Sequence, residues 1–453
     1  MATDNARVSV LSDARPNNDG KYVLYWMEHS QRAENNDAFE HSIGWANTLK
    51  LPVLVLFTVD PDYPDGNARH FTFMLQGLRE TIETVKNRGA HFSLRKGKPA
   101  KAAAEMARDA AVVITDRGYL RHLNEWRREV ADACKCRFEM IECDVVVPVE
   151  VASNKRESAA RTIRPKLHRT IGDFLELPAS WNIKHKAKGL GSPDDLDLND
   201  VAQFVEGLQC DASVGPVKGF TGGLAAARQT LKTFTTRHLR HYGDGRADIT
   251  TRNVSHLSPY LHLGMISPLE VYDAVKTAGG NSESVDVFVE EFVIRRELAV
   301  NYCHYNQQYD SWDSIPAWAK ETLKDHESDE RSAIYTLEQL EQSKTDDPYW
   351  NAAMREMRIT GYLHNHMRMY WGKRIITYTT TAQDAFEKTI YLNNKYFLDG
   401  RDANSYASIS WLYGIHDRGW PRQPIFGKVR TMAPSGLKRK FDIDAYVKWT
   451  RSL

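Results

Sequence analysis

The sequence predicts two unlike halves, an α/β domain built on a parallel, Rossmann-like sheet and an all-α domain that follows it. Short, continuous apolar runs alternate with amphipathic helical patterns between Lys21 and Glu150, as in parallel strands covered by helices on both faces. After Gly219 nearly every segment has helical periodicity. The 453 residues also exceed one ordinary core, which indicates two or three domains.

The first half contains strands and helices in alternation. Residues 1–20 are polar and are predicted to form a flexible N-terminal arm, and residues 21–150 form the α/β domain. The apolar runs predict strands over 22–27, 51–58, 90–94, 111–115, 137–143 and 145–149. Helical periodicity predicts helices over 38–49, 69–87, 100–110 and 122–134.

The loops after these strands are the expected place for a ligand, since α/β sheets bind ligands beyond the carboxyl ends of their strands. The loops in question are 28–36, 60–65 and 116–119. None of them has a GxGxxG pattern or a glycine-rich phosphate loop, so a standard dinucleotide or nucleoside triphosphate site is not expected. They are either ligand-binding loops of another kind or plain surface connections.

The second half follows a looser segment. Residues 151–218 are predicted to form an interdomain linker, with a basic cluster (Arg161, Arg164, Lys166, Arg169) of the kind that is usually a solvated face. Residues 219–453 form the helical domain. Its predicted helices cover 223–243, 268–277, 285–305, 318–324, 332–342, 350–359 and 362–376.

Composition excludes several classes of protein. The 60 basic and 59 acidic residues give a net charge of +1, so any nucleic-acid site must be a local patch. The five cysteines lack a CxxC pair, which favours a reduced intracellular protein, cytoplasmic or nuclear, without a structural metal. No apolar run approaches the roughly 20 residues that span a bilayer. We expect a monomer with no membrane partner.

The stretch from Gly361 to Asp417 is rich in chemistry-bearing side chains. Asn365 and Met369 lie one helical turn apart, as do Arg368 and Trp371, so one helix face presents an amide, a thioether, a guanidinium and an indole. A planar ligand bound among helices uses such apolar walls with a few polar contacts. The alternative is a methionine and aromatic stripe that only packs the core.

Two other segments carry polar groups with two interpretations each. Ser255 and Ser258 precede the helix start at Pro268, where hydroxyls suit phosphate oxygens or serve as ordinary helix caps. Glu291 and Arg295 have i,i+4 spacing, typical of a surface ion pair, although a carboxylate in a mostly apolar helix can also face a ligand cavity.

The C-terminal tail interleaves basic residues with aromatic ones such as Trp420 and Phe441. This combination fits a phosphate backbone with unstacked bases, or else a solvated C-terminal face. The candidate DNA-binding residues are Arg422, Lys428, Arg430, Lys438, Arg439 and Lys440.

Several motifs together resemble those of the photolyase/cryptochrome superfamily, and the class II cyclobutane pyrimidine dimer (CPD) photolyases in particular. The resemblance spans about residues 21–448, and its C-terminal motifs are the most specific to class II. The motifs lie at 25–27, 30–32, 257–262, 295–298, 347–351, 368–371, 398–402, 426–430 and 438–442.

The resemblance implies an N-terminal antenna domain and a helical domain that holds a U-shaped FAD. It also implies a carbon–carbon lyase that acts on UV-damaged DNA, single- or double-stranded. In such enzymes photoexcited reduced FAD passes an electron to a flipped-out pyrimidine dimer, the dimer splits, and the electron returns. A second antenna chromophore, 8-hydroxydeazaflavin or a folate, is possible in this family, but no motif here determines it.

The resemblance also assigns roles to single residues. It places Tyr242, Ser255, Leu257 and Ser258 on the phosphate or ribose side of FAD, Arg368 paired with Asp399 beside the isoalloxazine, and Asn393 near flavin N5. The dimer cavity would be lined by Glu291, Asn365, Met369 and Trp411. The catalytic residues would be Glu291, Asn393, Met369 and Trp411.

An electron relay is implied as well, with Trp371 and Trp350 at its inner positions. The outer position, seven residues after Trp371, departs from the class II tryptophan and is Tyr378. The alternatives to CPD repair are a cryptochrome-like light receptor, a (6-4) photolyase, or a plain flavin electron-transfer protein. The last would need no basic, aromatic rim.

Overall fold

The computed structural model describes residues 3–251, 253–279 and 281–453. Its N-terminal half is organised by one six-stranded sheet with the strand order β1-β6-β5-β2-β3-β4. The strands are β1 (Val8–Ser12), β2 (Tyr22–Trp26), β3 (Val53–Val59), β4 (His91–Lys96), β5 (Ala110–Asp116) and β6 (Arg137–Ile141).

Strands β2 to β6 are parallel, and β2, β3 and β5 are buried along their whole length. Their continuous apolar runs allow this, because crossover helices cover both faces of the sheet. The crossover helices are α1 (Asp37–Leu49), α2 (Ala68–Arg88), α3 (Pro99–Ala107) and α4 (Arg121–Ala133). The predicted α/β architecture is confirmed.

The predicted flexible arm is wrong. Residues 8–12 form β1, which pairs antiparallel with β6 and closes an otherwise open sheet edge. Arg7 is buried, and its guanidinium donates to the carbonyl oxygens of Glu142 (3.1 Å), Val145 (3.2 Å) and Val146 (2.7 Å). A five-residue edge strand has too little periodicity to be recognised alone.

The predicted strand at 145–149 is also wrong, since α5 (Val149–Ala152) begins there, followed by α6 (Ala160–Thr170) and α7 (Val201–Glu206). The predicted linker is therefore partly core, because Ile163 and Leu167 are buried against the helical half. Its basic cluster lies on α6, where Arg164 pairs with Glu290 and Lys166 with Glu157.

The second half is helical throughout, as predicted. The predicted single helices 223–243 and 285–305 are interrupted by π-helical turns at Phe234–His238 and Glu290–Arg295. Within the described ranges, no helix is both long and apolar enough to cross a membrane. The α-helices are α8 (Leu224–Thr233), α9 (Tyr242–Gly245), α10 (Ser258–His262), α11 (Pro268–Thr277), α12 (Ser282–Val289), α13 (Arg296–His304), α14 (Ala317–Asp325), α15 (Leu337–Glu341), α16 (Pro348–Thr360), α17 (Asn365–Thr377), α18 (Ala382–Tyr396), α19 (Ala403–Leu412), α20 (Pro434–Lys440) and α21 (Ile443–Arg451).

Arg69 on α2 joins the two halves. Its guanidinium donates to the carbonyl oxygens of Tyr396 (2.6 Å) and Met357 (3.2 Å), and also to those of Arg358 and Gly215. The side chain is buried, and burial lowers the pKa of Arg69 to about 10. One cation thus satisfies carbonyl groups at the ends of two helices of the other half.

Replacing Arg69 by alanine is expected to lower the free energy of unfolding by roughly 2–4 kcal/mol, because several buried carbonyl groups lose their donor. Urea denaturation followed by tryptophan fluorescence would measure this. Arg79→Ala is the matched control, since Arg79 lies on the same helix but is exposed. Equal decreases in the free energy of unfolding for the two variants would contradict the role of Arg69 in joining the two halves.

Candidate active site

The centre of the site is an ion pair between α17 and the α18–α19 turn. Arg368 Nη2 lies 3.1 and 3.2 Å from the two carboxylate oxygens of Asp399, which confirms the predicted pairing. The guanidinium carbon is also 3.9 Å from the centre of the Phe397 ring. A planar cation held against a ring and a carboxylate has little freedom to reorient.

The Asn393 amide is fixed beside this pair. Its Nδ2 donates to Ser405 Oγ and to Asn394 Oδ1, both at 3.0 Å, and Ser405 Oγ donates to the Asp399 carbonyl oxygen at 3.1 Å. Asn393 is only 2% exposed. The last turn of α18 and the first turn of α19 therefore hold one amide in one orientation.

A cavity of about 380 Å³ in the same half of the molecule is lined by Ser255, His256, Tyr362 and His364 among others. His256 has a backbone φ of +54°, a strained conformation of the kind found at functional sites. His364 is buried, and its Nε2 has no hydrogen-bond partner among the described residues. Burial lowers the pKa of His364 to about 4, so the ring is neutral near pH 7.

Tyr362 connects this cavity to the ion pair. Burial raises the pKa of Tyr362, the Arg368 charge opposes the rise, and the Asp399 charge adds to it, so all three groups are neighbours. Tyr362, three residues before Asn365 in the chain, was not among the predicted site residues. A flat apolar wall, an unpaired polar nitrogen and a fixed Arg–Asp pair fit FAD, which needs both kinds of contact.

Of the other predicted cofactor residues, Ser255 lines the cavity, and Tyr242, Leu257 and Ser258 lie next to residues that line it. Tyr242 is buried against Phe234 (5.6 Å) and Phe288 (5.4 Å), and burial raises its pKa to about 12. Leu257 is buried, whereas Ser258 is exposed at the start of α10.

Glu291 has a different partner from the predicted one. Its carboxylate accepts from Arg246 Nη1 at 3.0 Å, and Arg295 pairs instead with Glu290 at 3.2 Å. The predicted Glu291–Arg295 pair is therefore wrong, because the π-helical turn aligns residues five apart rather than four. The Glu291 side chain remains about one-third exposed.

The other predicted lesion-side residues lie on α17 and α19. Asn365 is exposed and Met369 half-buried on α17, and Trp411 is half-buried on α19. Trp411 lies between two cations, with Lys373 Nζ 5.5 Å and the Arg430 guanidinium carbon 5.6 Å from its ring. Lys373 is fully buried, donates to the Leu412 carbonyl oxygen, and has its pKa lowered to about 7 by burial.

The basic tail forms an exposed surface beside Trp411. Arg430 also stacks on Trp420 at 4.9 Å, and Arg418 lies 5.1 Å from the same ring, so rings and guanidinium groups alternate outward. The six predicted DNA-binding cations are all exposed, namely Arg422, Lys428, Arg430, Lys438, Arg439 and Lys440.

The three predicted relay residues are brought together in order. Trp350 Nε1 donates to the Trp371 carbonyl oxygen at 2.9 Å, and the Tyr378 ring centre lies 5.8 Å from that of Trp350. Trp371 in turn lies 6.1 Å from Phe397, the ring under Arg368. All three relay side chains are almost fully buried.

A second pocket lies between the two halves, beyond the carboxyl ends of β2 and β3 and beside the residues that follow β5. Its walls are aromatic, with Trp26, Phe57 and Trp126 among them. Several polar atoms on its lining have no hydrogen-bond partner within the part of the chain that the structure describes. They include Glu28 Oε1, Gln31 Oε1, Thr58 Oγ1, Arg296 Nη1 and Arg401 Nε.

Comparison with known proteins shows the family. Residues 23–182 match the family model of DNA photolyase, and residues 288–451 match that of the FAD binding domain of DNA photolyase. The deoxyribodipyrimidine photo-lyase of Methanothermobacter thermautotrophicus is 40% identical over 99% of this chain and 98% of its own, and that of Arabidopsis thaliana is 37% identical over 95% and 89%. A class III photolyase from Agrobacterium tumefaciens has the same fold, with a TM-score of 0.73 and 18% identity over 97% and 88% of the two chains. The chain with this Arg–Asp site and tryptophan chain therefore belongs to the DNA photolyase family and carries that family's FAD-binding domain.

Proposed function

We propose that this chain is a class II deoxyribodipyrimidine photo-lyase, which splits cyclobutane pyrimidine dimers in UV-damaged DNA under blue or near-UV light. The observation that carries the proposal is one continuous arrangement. The buried tryptophan chain reaches the Arg368–Asp399 pair through the Phe397 ring, and α17, which carries Arg368, packs closely on α19, which carries Trp411 beside the exposed cations of the tail. The motifs at 426–430 and 438–442 favour class II.

The cofactor is held by residues of the helical half. Arg368, Asp399 and Asn393 would contact the flavin ring system, and Ser255 with Tyr242, Leu257 and Ser258 would lie towards the phosphates. Bound in its reduced form, FAD supplies the photoexcited electron that opens the dimer, and the electron returns afterwards. The amide network around Asn393 contributes fixed dipoles that need no reorganisation during the reaction.

The substrate is bound by the lesion-side residues. A dimer must leave the duplex to reach the site, and this costs least for damaged bases, which gives selectivity. Trp411 and Met369 would pack against the extruded bases, and Asn365 would contact the DNA. Glu291 would bind the polar edge of a pyrimidine and counter its developing charge, with Arg246 as the group that positions it.

Glu291→Gln is expected to lower the yield of repair severalfold while FAD content stays normal, because one placed contact to the dimer is lost. The assay uses chemically reduced protein and UV-irradiated oligothymidine, and follows nucleobase absorbance under blue light. Glu290→Gln is the matched control, since Glu290 is the adjacent residue but pairs with Arg164 and Arg295. Loss of FAD from the Glu291 variant would show that the residue is placed wrongly.

The same assay separates the alternatives. No repair of oligothymidine dimers, with FAD bound and reduced, would favour a cryptochrome-like receptor or a (6-4) photolyase. A second substrate that contains only (6-4) photoproducts would then distinguish those two. Repair in the dark would exclude the photochemical mechanism altogether.

The exposed cations of the tail would bind phosphates, with Arg430 held in place by the two indoles that it stacks on. DNA binding by a monomer would then depend on ionic strength. Specificity for the lesion would come from base extrusion rather than from these contacts.

Arg430→Ala is expected to weaken binding to damaged and undamaged DNA alike, and to make the plot of log affinity against log salt shallower by about one unit, because one phosphate contact is lost. Fluorescence anisotropy with labelled duplexes measures both. Arg15→Ala is the charge-matched control, since Arg15 is exposed on the N-terminal segment. An unchanged salt slope for Arg430→Ala would remove this residue from the DNA surface.

The interdomain pocket would hold a flat second chromophore, such as 8-hydroxydeazaflavin or a folate. Aromatic walls suit a planar ring, and the unpaired polar atoms of the lining would contact its substituents. Glu28 supports this, because burial raises the pKa of Glu28 to about 7, where the carboxyl can donate as well as accept.

Gln31→Leu is expected to weaken chromophore binding by roughly five- to tenfold with little loss of stability, because Gln31 Oε1 has no partner to lose among the described residues and Nε2 makes only one long hydrogen bond, 3.4 Å to the Glu28 carbonyl oxygen. Quenching of chromophore fluorescence on titration measures the affinity, with 8-hydroxydeazaflavin and a reduced folate as separate probes. Wild-type protein that quenches neither probe would exclude a light-harvesting role for this pocket.

A further inference from the structure

The outermost relay residue is enclosed. Tyr378 is 0% exposed, and its hydroxyl donates to Asp347 Oδ2 at 3.0 Å. Arg374 Nε lies 3.2 Å from the Tyr378 hydroxyl oxygen, and its guanidinium carbon lies 4.9 Å from the Tyr378 ring. The Tyr335 ring covers the other side at 5.1 Å. The phenol therefore has no direct path to bulk water.

A buried phenol has a requirement that an indole does not share. Loss of one electron makes the tyrosine hydroxyl strongly acidic, so a stable tyrosyl radical forms only where a base takes the proton. Burial raises the pKa of Tyr378 in its ground state, and the Asp347 charge raises it further, so the neutral phenol is the resting form. The acceptor must lie within hydrogen-bond reach.

Asp347 meets that requirement, and it also contacts Trp350, the residue that takes the electron from Tyr378. Its Oδ1 caps α16, where it accepts from the backbone nitrogens of Tyr349 (3.0 Å) and Trp350 (3.1 Å). Its Oδ2 receives Tyr378, Tyr370 and Arg374. One buried carboxylate therefore lies beside Trp350 on one side and holds the phenolic proton of Tyr378 on the other.

We propose that Asp347 is the proton acceptor of the relay, so that Tyr378 is oxidised by a coupled transfer of an electron and a proton. An oxidised Trp350 takes one electron from Tyr378 and becomes neutral. At the same time the Tyr378 O–H bond breaks, its proton moves to Asp347 Oδ2, and a neutral tyrosyl radical and a neutral carboxyl remain. An external thiolate gives one electron to the tyrosyl radical and becomes a thiyl radical, and the proton moves back from Asp347 to Tyr378, which returns the system to its start. The inference rests on the relay role proposed above for Tyr378.

Two groups hold the Asp347 carboxylate in place, the Arg374 guanidinium and the backbone N–H groups at the start of α16. Arg374 Nε lies 3.1 Å from Asp347 Oδ2, and the helix cap keeps the carboxylate oriented. The groups that face the transferring proton are Asp347, Arg374, Tyr370 and the Tyr335 ring. The Tyr378 proton thus moves along one hydrogen bond to Asp347 and is not released to solvent.

The test uses the FAD-loaded protein with its flavin oxidised, excited by a laser flash in ordinary and in heavy water. Transient absorption and electron paramagnetic resonance distinguish tryptophan radicals from tyrosyl radicals. The variants are Asp347→Asn, Tyr378→Phe and Tyr370→Phe. Asparagine keeps the helix cap but not the base. Tyr370→Phe is the matched control, because Tyr370 donates to the same oxygen of Asp347.

We expect a tyrosyl radical in the wild type that forms more slowly in heavy water, and its loss in both Tyr378→Phe and Asp347→Asn, where the tryptophan radical persists. Tyr370→Phe should keep the tyrosyl radical and its isotope effect. A tyrosyl radical in Asp347→Asn at the wild-type rate would overturn the role of Asp347. A wild type with tryptophan radicals but no tyrosyl radical would overturn it as well, and no radical of either kind would overturn the relay itself. If Asp347→Asn fails to fold, absence of an isotope effect in the wild type still refutes the coupled transfer.

Discussion

The buried ion pair between Arg32 and Asp144 holds the molecule in one geometry. Arg32 Nη1 lies 2.6 Å from Asp144 Oδ1 and 2.8 Å from the Gly264 carbonyl oxygen, and Nη2 donates to the Cys143 carbonyl oxygen. The loop after β2, the end of β6 and the α10–α11 turn thus meet at one guanidinium. Although burial opposes it, the Arg32 charge keeps the pKa of Asp144 well below its usual range, so the pair stays ionised except in strong acid. Gly264 is required there, because its φ is +59° and a Cβ would lie 2.5 Å from the His29 carbonyl oxygen.

This junction has consequences for both candidate cavities. The interdomain pocket shares its lining between the β2 loop and the α10 and α19 ends, so its shape depends on the same contact. On the helical side, α17 carries Arg368, Met369 and Trp371 within one turn. A Cβ on Gly372 would lie 2.3 Å from Leu412, so α17 and α19 approach closely, and this places Trp411 relative to Arg368.

The sequence determined the parts of this fold that depend on long, regular patterns. Buried parallel strands and amphipathic helices follow from periodicity, and the Arg368–Asp399 pair and the tryptophan chain follow from family motifs. The missed features depend on non-local contacts. The antiparallel partner of β6, strand β1, lies more than a hundred residues away in sequence. The π-helical turn that places Glu291 in an ion pair with Arg246 has no periodic signal in the sequence. From the sequence, Asp347 was recognised only as the first residue of the motif at 347–351, because its contact with Tyr378 spans 31 residues.

The distribution of unpaired polar atoms indicates how cofactor binding and stability are linked. A buried polar group without a partner costs about 1–3 kcal/mol. Among the described residues, such atoms include His364 Nε2 in the helical cavity and several atoms of the interdomain pocket. Ligand contacts to these atoms would remove those costs, and they would therefore raise the affinity for the ligand and, through the affinity, the stability of the loaded protein. The protein without ligands carries the costs in full.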